Sequence, residues 1–190
     1  MTTVPRIIAA AMELFGTQGF EETSIRQIAD RCGLTDAAVL YHFRSKRQIL
    51  AAVWRDAFRG GPSDQFEPAG TLAEHVDRIV AMALADMAMR DAETRLMVRQ
   101  TLAGDIEAVE LRAARLEAWG SSLESLFEQT YPAEQAERMA DALTMLLTGC
   151  MLRSQIEYGR AFADHCRDGE YQRHVQQLAR TILRPLPEAV

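Results

Sequence analysis

Apolar residues recur along this chain at intervals of three and four, and no stretch alternates every second residue as a half-buried strand would. The pattern predicts an all-α protein. A first helix opens near Thr3 and Pro5: a threonine can cap free N–H groups, and proline is tolerated in a first turn, where its missing N–H costs nothing. Its inward stripe reads Ile8, Ala11, Met12 and Phe15. Gly16 and Gly19 end it, the latter suited to a left-handed cap, with Phe20 packing back on the helix. Thr23 or Ser24 starts a second helix. Ser24 and Gln27 have the spacing of a capping box, in which each side chain satisfies the other residue's backbone N–H, and Ile25, Ile28, Ala29 and Cys32 then point inward. Gly33 stops this helix, and after Leu34 alone Thr35 caps a short third one. Two short helices joined so tightly cannot run parallel, which is the layout of a helix-turn-helix. Ser45, followed by Gln48, caps a fourth helix through Ile49, Leu50, Val53, Trp54 and Phe58.

The stretch from Gly60 to Gly70, GGPSDQFEPAG, has two prolines, three glycines and no helical stripe. It divides the chain into residues 1–55, with a linking fourth helix to about 59, and residues 60–190. Beyond it Thr71 and Glu74 form another capping box, opening a helix with Leu72, Val76, Ile79, Val80, Ala83 and Met87 inward. After a break at Arg90 and Asp91 comes a shorter helix with Leu96, Met97 and Leu102, ended by Gly104. A long helix from about Asp105 to Gln129 carries Val109, Ala113, Leu116, Leu123 and Phe127 on one side, and Pro132 sets where the next begins. That one, from about Ala133 to Gly159, is apolar almost all round between Met139 and Leu152, so two of its sides are expected to be buried. A last helix spans about Glu170 to Leu183, with Pro185 stopping it. About nine helices are expected.

Composition adds little to this picture until charge is counted by segment. The chain has 190 residues, 48 % hydrophobic and 25 % charged, with a net charge of −6, all ordinary for a globular protein. Residues 1–60 hold 8 Lys and Arg against 6 Asp and Glu, whereas residues 61–190 hold 13 against 21, so only the N-terminal segment suits a polyanion. No apolar run approaches the roughly 18 residues of a membrane span, the N-terminus lacks the layout of a secretory signal, and the three cysteines are odd in number. A cytoplasmic protein is expected. Cys32 repeats an inward stripe, and nothing marks Cys150 or Cys166 as a low-pKa thiol; His75, His165 and His174 lie at no metal-ligand spacing. No nucleophile-base order, paired-carboxylate motif, phosphate loop or metal cluster is found, so no catalytic residue, metal or cofactor is expected. Lys46 is the only lysine, and it stands in the first turn of the fourth helix, where a cation opposes the helix dipole. A DNA phosphate would make sense of that placement.

Residues 7–54, IIAAAMELFGTQGFEETSIRQIADRCGLTDAAVLYHFRSKRQILAAVW, resemble the N-terminal domain of TetR-family regulators throughout. The likeness includes A-x-x-L-F-x-x-x-G-F at the end of the first helix, T-S-I-x-x-I-A in the second, G-L-T before the third and Y-H-F-x-S-K into the fourth. One departure is Leu40, where the family usually has a tyrosine that often touches a phosphate. The resemblance implies that Thr23 or Ser24 holds a phosphate at the start of the second helix, in keeping with the free N–H groups and positive dipole end there. It implies that Thr35, Asp36, Ala37 and Ala38 lie at the groove-facing start of a recognition helix, with Tyr41 and His42 one turn on. Small alanines permit close approach and can meet a thymine methyl, and Asp36 can accept from cytosine N4. Lys46, with Arg44 and Arg47 beside it, would contact phosphates.

For the second segment the resemblance supplies architecture only. It implies a helical ligand-binding and dimerisation domain whose last two long helices pair with their twofold mates, with Leu143, Leu147, Met151, Leu178 and Ile182 as interface residues. A pocket for an unidentified small-molecule effector would lie inside that domain, with Met82, Met87, Trp119, Phe127, Met145 and Met151 as lining candidates, since pockets are mostly apolar and methionine adapts to irregular shapes. The function so implied is a homodimeric repressor that binds a palindromic double-stranded DNA operator and is released by a ligand. An activator on the same scaffold is the alternative, with an all-α enzyme or an interaction protein behind it.

Overall fold

The structure is a computed structural model, and it describes residues 2–57 and 70–183. Ten α-helices and one 3-10 turn make up the ordered elements, with no strand among the described residues. In chain order they are α1 (Thr3–Gln18), α2 (Ile25–Cys32), α3 (Asp36–His42), α4 (Lys46–Ala57), α5 (Leu72–Met89), α6 (Asp91–Leu102), α7 (Ile106–Glu128), α8 (Ala133–Tyr158), a 3-10 turn (Gly159–Ala161), α9 (Phe162–Arg167) and α10 (Gly169–Ile182). Phe58, Pro185 and all of the Gly60–Gly70 stretch except Gly70 itself lie outside the described residues. None of the described helices is long and apolar enough to cross a membrane.

Packing divides these helices into two compact units, 2–57 with 91–109 and 70–90 with 110–183. In the first, α1 is the central element, packed against α2, α4 and α6. Its buried side is Ile7, Ala10, Ala11, Phe15 and Gly16, so Ala11 and Phe15 of the expected stripe are buried, while Ile8 and Met12 are only half-buried. Neither does Thr3 cap the helix. Thr2 holds that position, without a side-chain hydrogen bond. Gly16 does not end α1 but lies inside it, where α6 crosses: a Cβ there would stand 2.7 Å from the Ala92 carbonyl oxygen. Arg95 of α6 is nearly buried at this crossing, its Nε donating to the Gly16 carbonyl at 3.3 Å and its guanidinium paired with Asp91 at 2.7 Å. Gly19 closes α1 with φ +105° and ψ 160°, a conformation open to glycine but outside the left-handed helical region. Phe20 packs edge-on against Phe15 at 5.2 Å between centroids, as expected. Of the apolar residues read on α6, Leu96 is buried, with Val98 beside it, whereas Leu102 is 71 % exposed.

The second unit is built on α5, opened by the Thr71–Glu74 capping box read from the sequence. Val76, Ile79, Val80, Ala83, Leu84 and Ala88 of α5 join Leu123, Leu126 and Phe127 of α7, one side of α8, and Phe162, Cys166, Val175 and Ala179 in a single core. Val109 and Ala113, expected on the inward side of α7, are exposed, because only the C-terminal half of that helix reaches this core. The helix α9 escapes periodicity because six residues offer a single i, i+4 apolar pair, Phe162 and Cys166. Polar ties fix α10 against α5: Arg180 pairs with Asp77, and Gln176 donates to the Asp77 carbonyl at 3.0 Å. Arg167 of α9 donates to the Ala88 carbonyl at 3.3 Å.

Candidate nucleic-acid interface

The segment from Thr23 to Lys46 is shaped by its caps. The Ser24–Gln27 capping box is complete, the Gln27 N–H donating to Ser24 Oγ at 3.2 Å and the Ser24 N–H to Gln27 Oε1 at 2.8 Å. No acceptor among the described residues meets the N–H groups of Ile25 and Arg26, so the start of α2 keeps two free donors and a positive dipole end. The far end closes on Gly33, left-handed at φ 65° and ψ 41°, with the Leu34 N–H donating to the Ala29 carbonyl at 2.9 Å and the Gly33 N–H to that of Asp30 at 3.1 Å. This double closure turns the chain sharply and fixes the exit angle toward α3. Arg6 of α1 donates to the Cys32 carbonyl as a further tie. Thr35 then caps α3, accepting from the Ala38 N–H at 3.2 Å.

Held between these caps, α3 has one inward anchor, Val39, fully buried, with Phe43 buried just past its end. Its opposite side is open. Thr35, Asp36, Ala37, Tyr41 and His42 are exposed and Ala38 is half-buried; Leu40 is 44 % and Tyr41 85 % accessible, and the Tyr41 and His42 rings meet edge-on at 5.2 Å. Positions 36, 37, 40 and 41 form one continuous helical side, since residues four apart stack along a helix.

Three sequence-based assignments change. Thr23 is 2 % exposed, its hydroxyl donating to the Gly19 carbonyl at 2.6 Å and accepting from Gln18 at 3.0 Å, so it builds the α1–α2 loop, and Ser24 alone presents a hydroxyl at the start of α2. Lys46 has its partners inside the protein: Nζ donates to the carbonyls of Phe20 at 2.6 Å and Glu21 at 3.1 Å, and it lies 4.3 Å from the centre of the Phe20 ring. Those oxygens, rather than a phosphate, explain a cation in the first turn of α4. Arg47 pairs with Asp105 and, at 3.8 Å, with Glu107. Burial tends to raise the Asp105 carboxyl, but N–H groups from Ala108 and Glu107 together with the Arg47 guanidinium outweigh it and hold the pKa below the ordinary value. Arg44 is exposed, and its guanidinium enters no ion pair among the described residues. Arg26 shares that condition in the first turn of α2. The sequence reading missed it, although a cation two residues past a cap at the anion-binding end of a helix was a usable signal.

In the second unit the lining candidates separate. Phe127 is buried in the core, and Met87, Trp119 and Met151 are half-buried against it, whereas Met82 is 38 % and Met145 73 % exposed and neither lies in the interior. The interface candidates separate too. Leu143 and Leu147 are buried in their own core, on the side of α8 opposite to Met145, while Leu178 and Ile182 stand exposed on α10. Ile156, 73 % exposed, was missed; with Met145, Gly149 and Leu152 it continues a three-and-four spacing along the outer side of α8. Among the described residues no three His, Cys, Asp or Glu side chains are grouped as metal ligands.

This geometry meets independent comparisons. The model for bacterial regulatory proteins of the tetR family matches residues 7–53, which span α1 to α4. The chain is 25 % identical over 175 residues to the HTH-type transcriptional regulator BetI of Yersinia pestis (strain Pestoides F), covering 80 % of each chain. Among solved structures, a transcriptional regulator from Rhodococcus sp. Rha1 superposes with a TM-score of 0.72 at 20 % identity, over 98 % of this chain and 100 % of that one. NalD, described as the secondary repressor of the MexAB-OprM multidrug efflux pump in Pseudomonas aeruginosa, does so with a TM-score of 0.60 at 22 % identity, over 99 % and 98 %. Residues 7–53 thus carry the helix-turn-helix of the bacterial regulatory proteins of the tetR family, and the chain as a whole is similar to BetI and has the fold of the matched regulators.

Proposed function

We propose that the protein is a homodimeric repressor that reads a palindromic operator with α3 and leaves it when a small molecule occupies the second unit. The observation that carries the reading is the open side of α3, with Tyr41 85 % exposed on a helix whose caps and single buried anchor hold it still. In this reading Thr35, Asp36, Ala37, Ala38, Tyr41 and His42 meet the major groove. Ser24, the free N–H groups of Ile25 and Arg26, and the Arg26 and Arg44 side chains take phosphates. Repression is the regulatory sense named for NalD. The outer stripe of α8 from Met145 to Ile156, with Leu178 and Ile182 of α10, supports a twofold partner, since an exposed apolar side on two long helices is the material of a four-helix bundle.

Support for a ligand comes from polar atoms without partners. Thr144 Oγ1 and Gln155 Nε2 on α8, and His75 Nε2 on α5, are buried and make no hydrogen bond among the described residues. Each such atom costs about 1 to 3 kcal/mol, which a bound molecule bearing matching groups would recover. Thr144 and Gln155 share one side of α8, eleven residues being close to three full turns.

The test is a mobility shift on the DNA upstream of the protein's own coding region. Retarded duplex is expected at nanomolar protein, with a loss of tenfold or more for Tyr41→Ala and for Arg44→Ala. Unchanged affinity in both would remove α3 and its flank from the interface. A melting-temperature screen of small molecules tests the ligand arm: a stabilising compound should also release the DNA, and its effect should shrink in Thr144→Val.

A further inference from the structure

We infer that the protein specifies its operator half-sites through thymine methyl groups, with Leu40 as the specificity-determining residue. This inference rests on the reading of α3 as the groove helix. Bidentate recognition of a purine edge needs a fork: arginine or lysine donors for guanine O6 and N7, or the amide of asparagine or glutamine for adenine N6 and N7. The whole of α3, DAAVLYH, contains none of these four residue types, and neither does its cap Thr35. Its nearest basic residue, Arg44, lies beyond the buried Phe43 that ends the helix.

What the open side offers is different chemistry. Asp36 can only accept, so it repels the acceptor-bearing edge of guanine and tolerates a cytosine amine. Ala37 is exposed and small, and Leu40, 44 % exposed, stands one turn beyond Asp36 on the same side. An aliphatic side chain on a groove-facing helix gains by covering the one apolar group that a base pair shows in the major groove, the C5-methyl of thymine. Tyr41 carries one hydroxyl, and the two ring nitrogens of His42 point away from each other on a ring that meets Tyr41 edge-on, so neither side chain presents the parallel fork that a purine edge needs.

The experiment uses the full chain. Bound duplexes are selected from random DNA, and affinity is measured on the selected operator after replacing its thymines one at a time with deoxyuridine, which pairs identically but lacks the methyl. At least one replacement in each half-site should weaken binding about fourfold, the weight of one buried methyl group. In Leu40→Ala, a substitution on an exposed helical side that leaves the fold intact, that same replacement should be neutral. Replacing guanines with 7-deazaguanine, which deletes N7, should be neutral throughout the segment facing α3. The inference is overturned if every deoxyuridine is tolerated, or if the sensitive thymine remains equally sensitive in Leu40→Ala. Affinity that survives both Leu40→Ala and Tyr41→Ala would show the distinct failure of α3 as the groove helix, and the inference would fall with it.

Discussion

Lys46 holds the carbonyl of Phe20 at 2.6 Å and rests over the ring of the same residue at 4.3 Å, so one side chain ties the start of α4 to the loop between α1 and α2. Two charge-assisted hydrogen bonds and a cation–π contact, with the lysine side chain only 22 % exposed, are structural interactions. Lys46→Ala is therefore expected to lower unfolding free energy by about 1 to 3 kcal/mol in urea titrations, since it removes the Lys46 donor of the Glu21 carbonyl and leaves the Phe20 carbonyl with the longer bond from the Thr23 N–H. Lys46→Arg should not restore it, because a planar guanidinium cannot place one compact charge between two oxygens and a ring. Unchanged stability together with a large loss of DNA affinity would return Lys46 to the phosphate contacts.

At Gly16, helix propensity and packing pull in opposite directions. Alanine is the better helix former by about 1 kcal/mol. Its Cβ, however, would stand 2.7 Å from the Ala92 carbonyl oxygen and 2.8 Å from the Ala92 Cβ. Backbone is what must yield there, and overpacking of that kind costs about 1 to 3 kcal/mol. Gly16→Ala is thus expected to lower the denaturation midpoint. A raised midpoint would mean that α6 moves aside freely.

These two residues show what was legible in the sequence and what was not. The capping boxes at Ser24 and Thr71, the Gly33 closure and the Thr35 cap were readable because each is a local bargain among residues within a few positions. Lys46 and Phe20 are 26 positions apart, and Gly16 meets Ala92 from another helix; such contacts leave no periodic trace. Thr23 and Ser24 were interchangeable as sequence, and only the direction of the Thr23 hydroxyl toward Gly19 separates them. On α8 the apolar residues surround the helix, so periodicity alone could not tell the side of Leu143 and Leu147 from that of Met145 and Ile156.

His165 makes stability depend on pH. Its ring stacks on Tyr158 at 3.7 Å and lies 3.8 Å from Tyr171, whose hydroxyl meets Ser154 at 2.9 Å and whose burial pushes its pKa up to about 12. Burial lowers the His165 pKa below 6.5 despite the nearby carboxylates of Asp168 and Glu157, with Arg153 adding to the lowering. The unfolded chain then binds a proton more readily than the folded one, so stability is present in full above the unfolded pKa of about 6.5 and is lost as pH falls through it toward the folded value. Melting temperature should drop between pH 7.5 and 5.5. His165→Phe keeps an aromatic ring and cannot titrate, and it should flatten that dependence; an identical pH profile in the variant would assign the effect elsewhere.

The outer stripe of α8 gives the dimer proposal its sharpest test. Met145 and Ile156 are each 73 % exposed, and Leu178 and Ile182 on α10 are 37 % and 50 % exposed, so in a lone protomer all four leave apolar surface in water. Covering it against a second copy removes that surface from both partners, whereas a charge in the same place would be desolvated without an opposite one. Met145→Glu combined with Ile156→Glu is expected to convert the protein to monomer in sedimentation experiments while leaving helical content and melting behaviour of the protomer intact, since neither side chain belongs to the core. DNA affinity should then fall far more than any single phosphate contact explains, because two half-sites bound by linked helices gain from effective concentration that separate protomers lack. A variant that remains dimeric would place the twofold contact on another surface and would leave the stripe on α8 without its proposed partner.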